Sequence, residues 1–145
     1  MPVLQRPLRS VGAVIAAAAV LGLAGCSSEA TAQARDSARS ACSADTPRLP
    51  EGFDVRTASG DQLSELASSA AGRKALAEQA AADDDRWQVL ADAAAAISSF
   101  AGVLRDARMT GLSIDDAVTP GMWDQYKYAS DAFVVECRGA LAQDR

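Results

Sequence analysis

Few side chains in this 145-residue chain are equipped for chemistry, because it has no His and no Asn. Without His there is no Ser-His-Asp or Cys-His nucleophilic site and no imidazole metal ligand. Without Asn there is no N-glycosylation acceptor. What remains is three thiols, Cys26, Cys42 and Cys137, and a set of carboxylates. Asp115 beside Asp116, and Asp124 with Asp131, are pairs that could do acid–base work. Asp on helix faces is ordinary solvated charge, and nothing in the pattern places these pairs in a cleft. Asp83, Asp84 and Asp85 form the sharpest charge run. A calcium loop needs a longer ligand series with a Gly and a terminal Glu, which are missing here. The run reads as three carboxylates capping orphan N–H groups at the start of the helix that follows. No metal, no cofactor and no enzymatic activity is expected.

The position of Cys26 is the most informative feature. Arg6 and Arg9 give a positive beginning with no acidic residue, and Val11 to Leu23 is a nearly unbroken apolar run. The small residues Ala24 and Gly25 follow, and serine-rich polar sequence begins at Ser27. These are the three parts of an export signal. A permanent transmembrane helix needs roughly 18 or more apolar residues, which this run does not reach. No other segment after residue 25 reads as apolar enough to hold a bilayer. The two arginines are separated, so a twin-arginine signal is not supported.

Leu23, Ala24, Gly25 and Cys26 together closely resemble the lipobox of bacterial lipoproteins. That resemblance implies cleavage before Cys26 and a diacylglyceryl lipid on its thiol, placing the protein on the extracytoplasmic face of the cell membrane. Two chains meet the requirement for stable anchoring, since one acyl chain holds only weakly. The chain then divides into a signal peptide (1–25), a lipidated tether (26–34) and a helical domain (35–145). With Cys26 carrying lipid, Cys42 and Cys137 are left as an even pair in an oxidising compartment, and a disulfide between them is expected. The alternative is two buried free thiols.

Removing residues 1–25 takes two of 14 basic residues and none of 19 acidic ones, leaving 120 residues with 12 basic against 19 acidic groups, a net charge of −7. That length suits one domain with a modest core. An acidic body without a basic patch does not attract nucleic acid.

The elements that must hold these residues read as helices. Ala30, Ala34, Ala38 and Cys42 recur every four residues and put a thin small-residue stripe on one face of a helix at about 30–44. Pro47, Pro50 and Gly52 interrupt, giving a crossover that Leu49, Phe53 and Val55 could pin to the body. Ser59 with Gln62 forms a capping box for a second helix to about residue 82, with Leu63, Leu66, Ala70, Ala77 and Ala80 inward and Arg73 and Lys74 interrupting. Trp87, Leu90, Ala94, Ile97, Ala101 and Leu104 form the seam of a third helix, ended by Gly111. Ser113 and Asp116 suggest one capped turn through Val118. Thr119 then caps a last helix with Pro120 at its first position. Its inner face carries Trp123, Tyr126, Phe133, Cys137 and Leu141, with Ala129 and Ala140. The expected fold is all-α, a four-helix antiparallel bundle closed by one disulfide joining first and last helices.

Leader, lipobox, Ala- and Arg-rich helices and a Cys pair together resemble the small exported lipoproteins of actinobacteria. A second resemblance is to the small, secreted, disulfide-bonded helical haem-binding proteins of mycobacteria, but with no His here Tyr126 or Tyr128 would have to ligate iron. The function these features point to is a non-catalytic, membrane-anchored domain that binds a protein partner at the cell envelope. The alternative is a carrier of a small apolar ligand between third and fourth helices, lined by Trp87, Trp123, Tyr126 and Phe133, which otherwise are core.

Overall fold

The computed structural model describes residues 22–43 and 53–142, with side chains from residue 28 onward. Residues 1–21, on which most of the expected signal peptide falls, and Leu49 and the prolines of the expected crossover lie outside the described residues. Those that are described form helices and connections, with no strand among them: α1 (Gly22–Cys42), α2 (Gly60–Asp83), a 3₁₀ turn (Asp85–Trp87), α3 (Gln88–Met109), the single turn α4 (Ile114–Ala117) and α5 (Pro120–Ala142).

Helix ends follow local chemistry. The Gln62 N–H donates to Ser59 Oγ at 3.2 Å and the Ser59 N–H to Gln62 Oε1 at 2.8 Å, which closes the capping box of α2. Gly111 leaves α3 at φ +76°, while the Leu112 N–H reaches the Ala107 carbonyl and the Gly111 N–H that of Arg108. This pair of bonds is a Schellman ending, and its left-handed residue favours Gly. Ser113 Oγ accepts from the Asp116 N–H to start α4, and Thr119 Oγ1 accepts from Met122 to start α5 at Pro120.

Two boundaries differ from expectation. First, α1 begins at Gly22 rather than near residue 30, so the tether 26–34 lies inside a helix. Cys26 to Cys42 contains neither Pro nor Gly, and its Ala, Glu, Gln and Arg residues favour helix, so nothing stops the helix from extending. It also ends two residues early, at Cys42. Second, the three aspartates do not jointly begin α3. Asp83 is the last residue of α2, Asp84 turns the chain in an extended conformation, and its carboxylate accepts from the Arg86 N–H at 3.1 Å. Asp85 opens the 3₁₀ turn, which stands between Asp84 and α3, and α3 starts at Gln88 without a side-chain cap.

The long helices pack as α1 on α2, α2 on α3, α3 on α5 and α1 on α5. Register on the last pair is set by two contacts. Cys42 lies opposite Cys137, and Arg39 Nε donates to the Ala140 carbonyl at 3.4 Å. Numbers rise on α1 as they fall on α5, so the two run antiparallel.

The core is divided along the length of the molecule. At one end Ala34, Ala38 and Ala41 of α1 meet Ala77, Ala80 and Ala81 of α2, Trp87 with Leu90, Ala91, Ala93 and Ala94, and Phe133 with Ala140 of α5. At the other, Leu63, Phe100, Leu104, Ala107, Ile114 and Val118 pack together with Trp123, Tyr126 and Met122. Ala67, Ala70 and Ala101, flanked by Leu66 and Ile97, join the two. α1 contributes to the first cluster alone. In the second its place is taken by Phe53, Val55 and Ala58 of the strap before α2, and by α4.

Of the expected seam, Leu90, Ala94, Ala101 and Leu104 are buried on α3, Trp87 is buried in the turn before it and Ile97 is half-buried, while Phe100, Ala91, Ala93 and Ala107 widen the stripe. α2 buries Ala67 and Ala81 in addition to the expected positions, with Leu66 half-buried. On α5 Leu141 is 53% exposed rather than inward. Ala140 takes the inward position in that last turn, and Leu141 falls one position round the helix. One further expectation is corrected. Asp85–Met109 is long and apolar enough to span a bilayer by length and composition, with mean hydropathy 1.3. Leu90, Ala94, Phe100, Ala101 and Leu104 are packed in clusters with α2 and α5 while Val89 and Met109 are exposed, so here it serves as the central core helix.

Candidate functional sites

The cysteine pair comes together as expected. Cys42 at the end of α1 and Cys137 on α5 have Cα atoms 5.3 Å apart and sulfurs 2.09 Å apart, at disulfide distance, closing 95 residues of sequence. Both are half-buried. Just past the end of α1, Arg73 of α2 lays its guanidinium 5.7 Å above the Phe133 ring. Burial pushes the Arg73 pKa below the ordinary arginine value. The interruption that Arg73 made in the α2 stripe is thus a lid of aliphatic stem and cation over an aromatic ring.

The four aromatics proposed as one lining set are not one set. Trp87 and Phe133 belong to the cluster at the disulfide end, and Trp123 and Tyr126 to the opposite one. Which aromatics meet depends on how far each lies along antiparallel helices, and that places Phe100 of α3 between Trp123 and Tyr126. Phe100 stacks on Tyr126 at 4.6 Å between centroids and meets the edge of Trp123 at 4.8 Å. Phe100 was missed in favour of Ala101, although Ile97–Phe100–Leu104 has the same three–four spacing. Both are buried because a globular core helix carries a wider stripe than a coiled-coil seam.

The two tryptophans differ in their surroundings. Trp87 is 3% exposed, has Arg86 4.5 Å from its ring centroid, and its Nε1 is buried with no hydrogen-bond partner. Trp123 is half-buried beneath the strap. Arg56 lies 5.9 Å over its ring, pairs with Asp115 at 2.9 Å, and receives the Arg108 Nη2 donor on its carbonyl at 2.7 Å. The strap is therefore tied down by charge and by one backbone acceptor.

The carboxylate pairs are not assembled into a site. Asp115 faces Arg56, whereas Asp116 accepts from Ser113 Oγ at 2.6 Å. Asp124 and Asp131 are both exposed on α5.

A groove does lie between α3 and α5, where the alternative reading places an apolar ligand. It holds about 70 Å³ and is lined by Ala96, Ser99, Phe100, Val103, Met122, Gln125 and Tyr126. Of the four aromatics proposed, Tyr126 alone reaches it. Small-molecule pockets commonly hold about 300–1,000 Å³, so this groove suits a few waters rather than a lipid or haem. In comparison with known proteins, the chain matches no family model, no curated protein sequence and no solved structure.

Proposed function

We propose that this chain is an envelope lipoprotein, cleaved before Cys26, lipid-anchored through that residue on the extracytoplasmic face of the cell membrane, and carrying a non-catalytic helical domain that binds a protein partner. The observation that carries the anchor is Leu23-Ala24-Gly25-Cys26 closing an apolar run behind Arg6 and Arg9. The body is a four-helix antiparallel bundle at the disulfide end. At the other end it is a three-helix arrangement completed by the strap and α4. A non-catalytic role is supported by the dispersal of the carboxylate pairs among separate partners and exposed helix faces. Protein binding is favoured over carriage of an apolar ligand because the aromatics are packed among themselves and the groove beside them is small. The acidic body gives no surface for nucleic acid.

Cys26→Ala tests the anchor. The variant should leave the membrane fraction or accumulate with residues 1–25 attached, while the native protein should show the mass of a diacylated N-terminal Cys26. A native protein held in the membrane with its leader intact and Cys26 unmodified would refute the reading. Crosslinking in intact cells tests the partner: one envelope protein should be captured reproducibly, and capture should fail when Cys26→Ala mislocalises the chain.

A further inference from the structure

We infer that the protein stands end-on on its membrane, with the last turn of α2, the Asp85–Trp87 turn and the C-terminal end of α5 beside the bilayer and Met109–Ser113 directed outward. The inference rests on the lipid anchor at Cys26 and adds an orientation to it.

The direction of α1 carries the argument. With Cys42 opposite Cys137 and Arg39 opposite Ala140, residues rise and fall one for one along the antiparallel pair. The last helical residue of α5, Ala142, then falls opposite residue 37, and everything earlier on α1 runs past the end of α5. α2 stops at Asp83 on the same side, and Ala80 and Ala81, its last buried residues, belong to the same cluster as Ala34 and Ala38. Residues 28–33 of α1 contain no buried side chain. α1 therefore leaves the body at its disulfide end and continues as helix to position 26 and beyond. Position 26 is eight residues before Ala34, which at 1.5 Å per residue is about 12 Å beyond the body.

A flexible tether of that length would let the body roll over in any direction. An unbroken helix joined covalently to α5 does not. The 22 residues of α3 span roughly 33 Å away from that end, so Met109, which is 72% exposed, stands roughly 45 Å from the anchor point. The competing arrangement lays the body on its side, with the exposed Tyr128, Val134, Val135 and Leu141 of α5 against the lipid. Asp124, Lys127, Asp131 and Arg138 are interleaved on that same face and are all exposed, which opposes burial in a bilayer.

The test uses the full lipidated protein, without an affinity tag, in phosphatidylcholine vesicles doped with a nickel-chelating lipid. The chain has no His, so no imidazole recruits it to the chelated metal. A nitroxide is placed by Ala82→Cys at the exposed end of α2, or by Met109→Cys at the exposed end of α3. Unchanged thermal melts establish that each variant is folded. The spin–lattice relaxation time should shorten at 82 and stay at its metal-free value at 109. Equal shortening at both sites would show a body lying on its side, and shortening at 109 alone an inverted one. Either overturns the orientation while an intact diacyl mass on Cys26 leaves the anchor standing. A chain without lipid on Cys26 that does not bind the vesicles would overturn both.

Discussion

The same indole ring has two different energetic roles at positions 87 and 123. Trp87 is buried among alanines and Leu90, so truncation leaves a cavity that backbone neighbours cannot close. Trp87→Ala should cost about 3–5 kcal/mol, as large-to-small core changes do. Trp123 is half-buried, with one face under the Arg56 side chain, and removes less area from water. Trp123→Ala should therefore cost about 1–2 kcal/mol. A third substitution separates packing from polarity. The Trp87 Nε1 has no partner, so its burial already carries a penalty that Phe would not. Trp87→Phe should stay within about 1 kcal/mol of the native protein, the unpaired N–H offsetting part of the lost volume. Urea unfolding with a common slope measures all three. A Trp87→Phe loss larger than that of Trp123→Ala would contradict this assignment of roles.

Among the elements, α1 is attached differently from the rest. Its buried residues are Ala34, Ser37, Ala38 and Ala41, which allow close approach but bury little apolar area, whereas the large buried side chains among the described residues belong to α2, α3, α4, α5, the turn before α3 or, for Val118, the link after α4. The link to Cys137 is then the main restraint on where α1 lies. Replacing both cysteines by serine should cost up to about 4–5 kcal/mol in the chain-entropy account of a loop this long. It should also act locally. Amide exchange should accelerate more over 28–42 than in α2, α3 and α5, whose protection falls only with the global stability; equal acceleration throughout, or none in α1, would show that the helix is held otherwise. This contrast also explains what the sequence could reveal. Capping is a local exchange of hydrogen bonds, so Ser59 with Gln62, Ser113 with Asp116, Thr119 with Pro120, and Gly111 were all legible. The start of α1 was not, because no cap or breaker marks it and propensity alone extends it. Leu141, Phe100 and the separation of Trp87 and Phe133 from Trp123 and Tyr126 were illegible for another reason: they depend on the relative register of helices distant in sequence. The resemblance of Leu23–Cys26 to a lipobox rests on residue type and order alone, so the proposal drawn from it asks nothing of the fold.

For the molecule as a whole, the arrangement is one body with two differently built ends joined through Ala67, Ala70 and Ala101. The central helix α3 runs through both and packs on α2 and α5. A core continuous along one helix should melt as a unit, and a single cooperative thermal transition is expected for a domain of this size. That transition also decides between partner and ligand. A ligand that binds the native state raises its stability in proportion to the logarithm of its concentration over Kd. The groove between α3 and α5 holds about 70 Å³, and the rings beside it are already engaged, Phe100 with both Trp123 and Tyr126. To admit a fatty acid or haem, α5 would have to separate from α3 and break that stacking. The melting temperature should accordingly be unmoved by haem, fatty acids or phospholipid added in large excess over protein. A reproducible rise, abolished by Tyr126→Ala in a protein that still melts cooperatively, would show that the helices open around an apolar guest and would replace the partner-binding reading with a carrier.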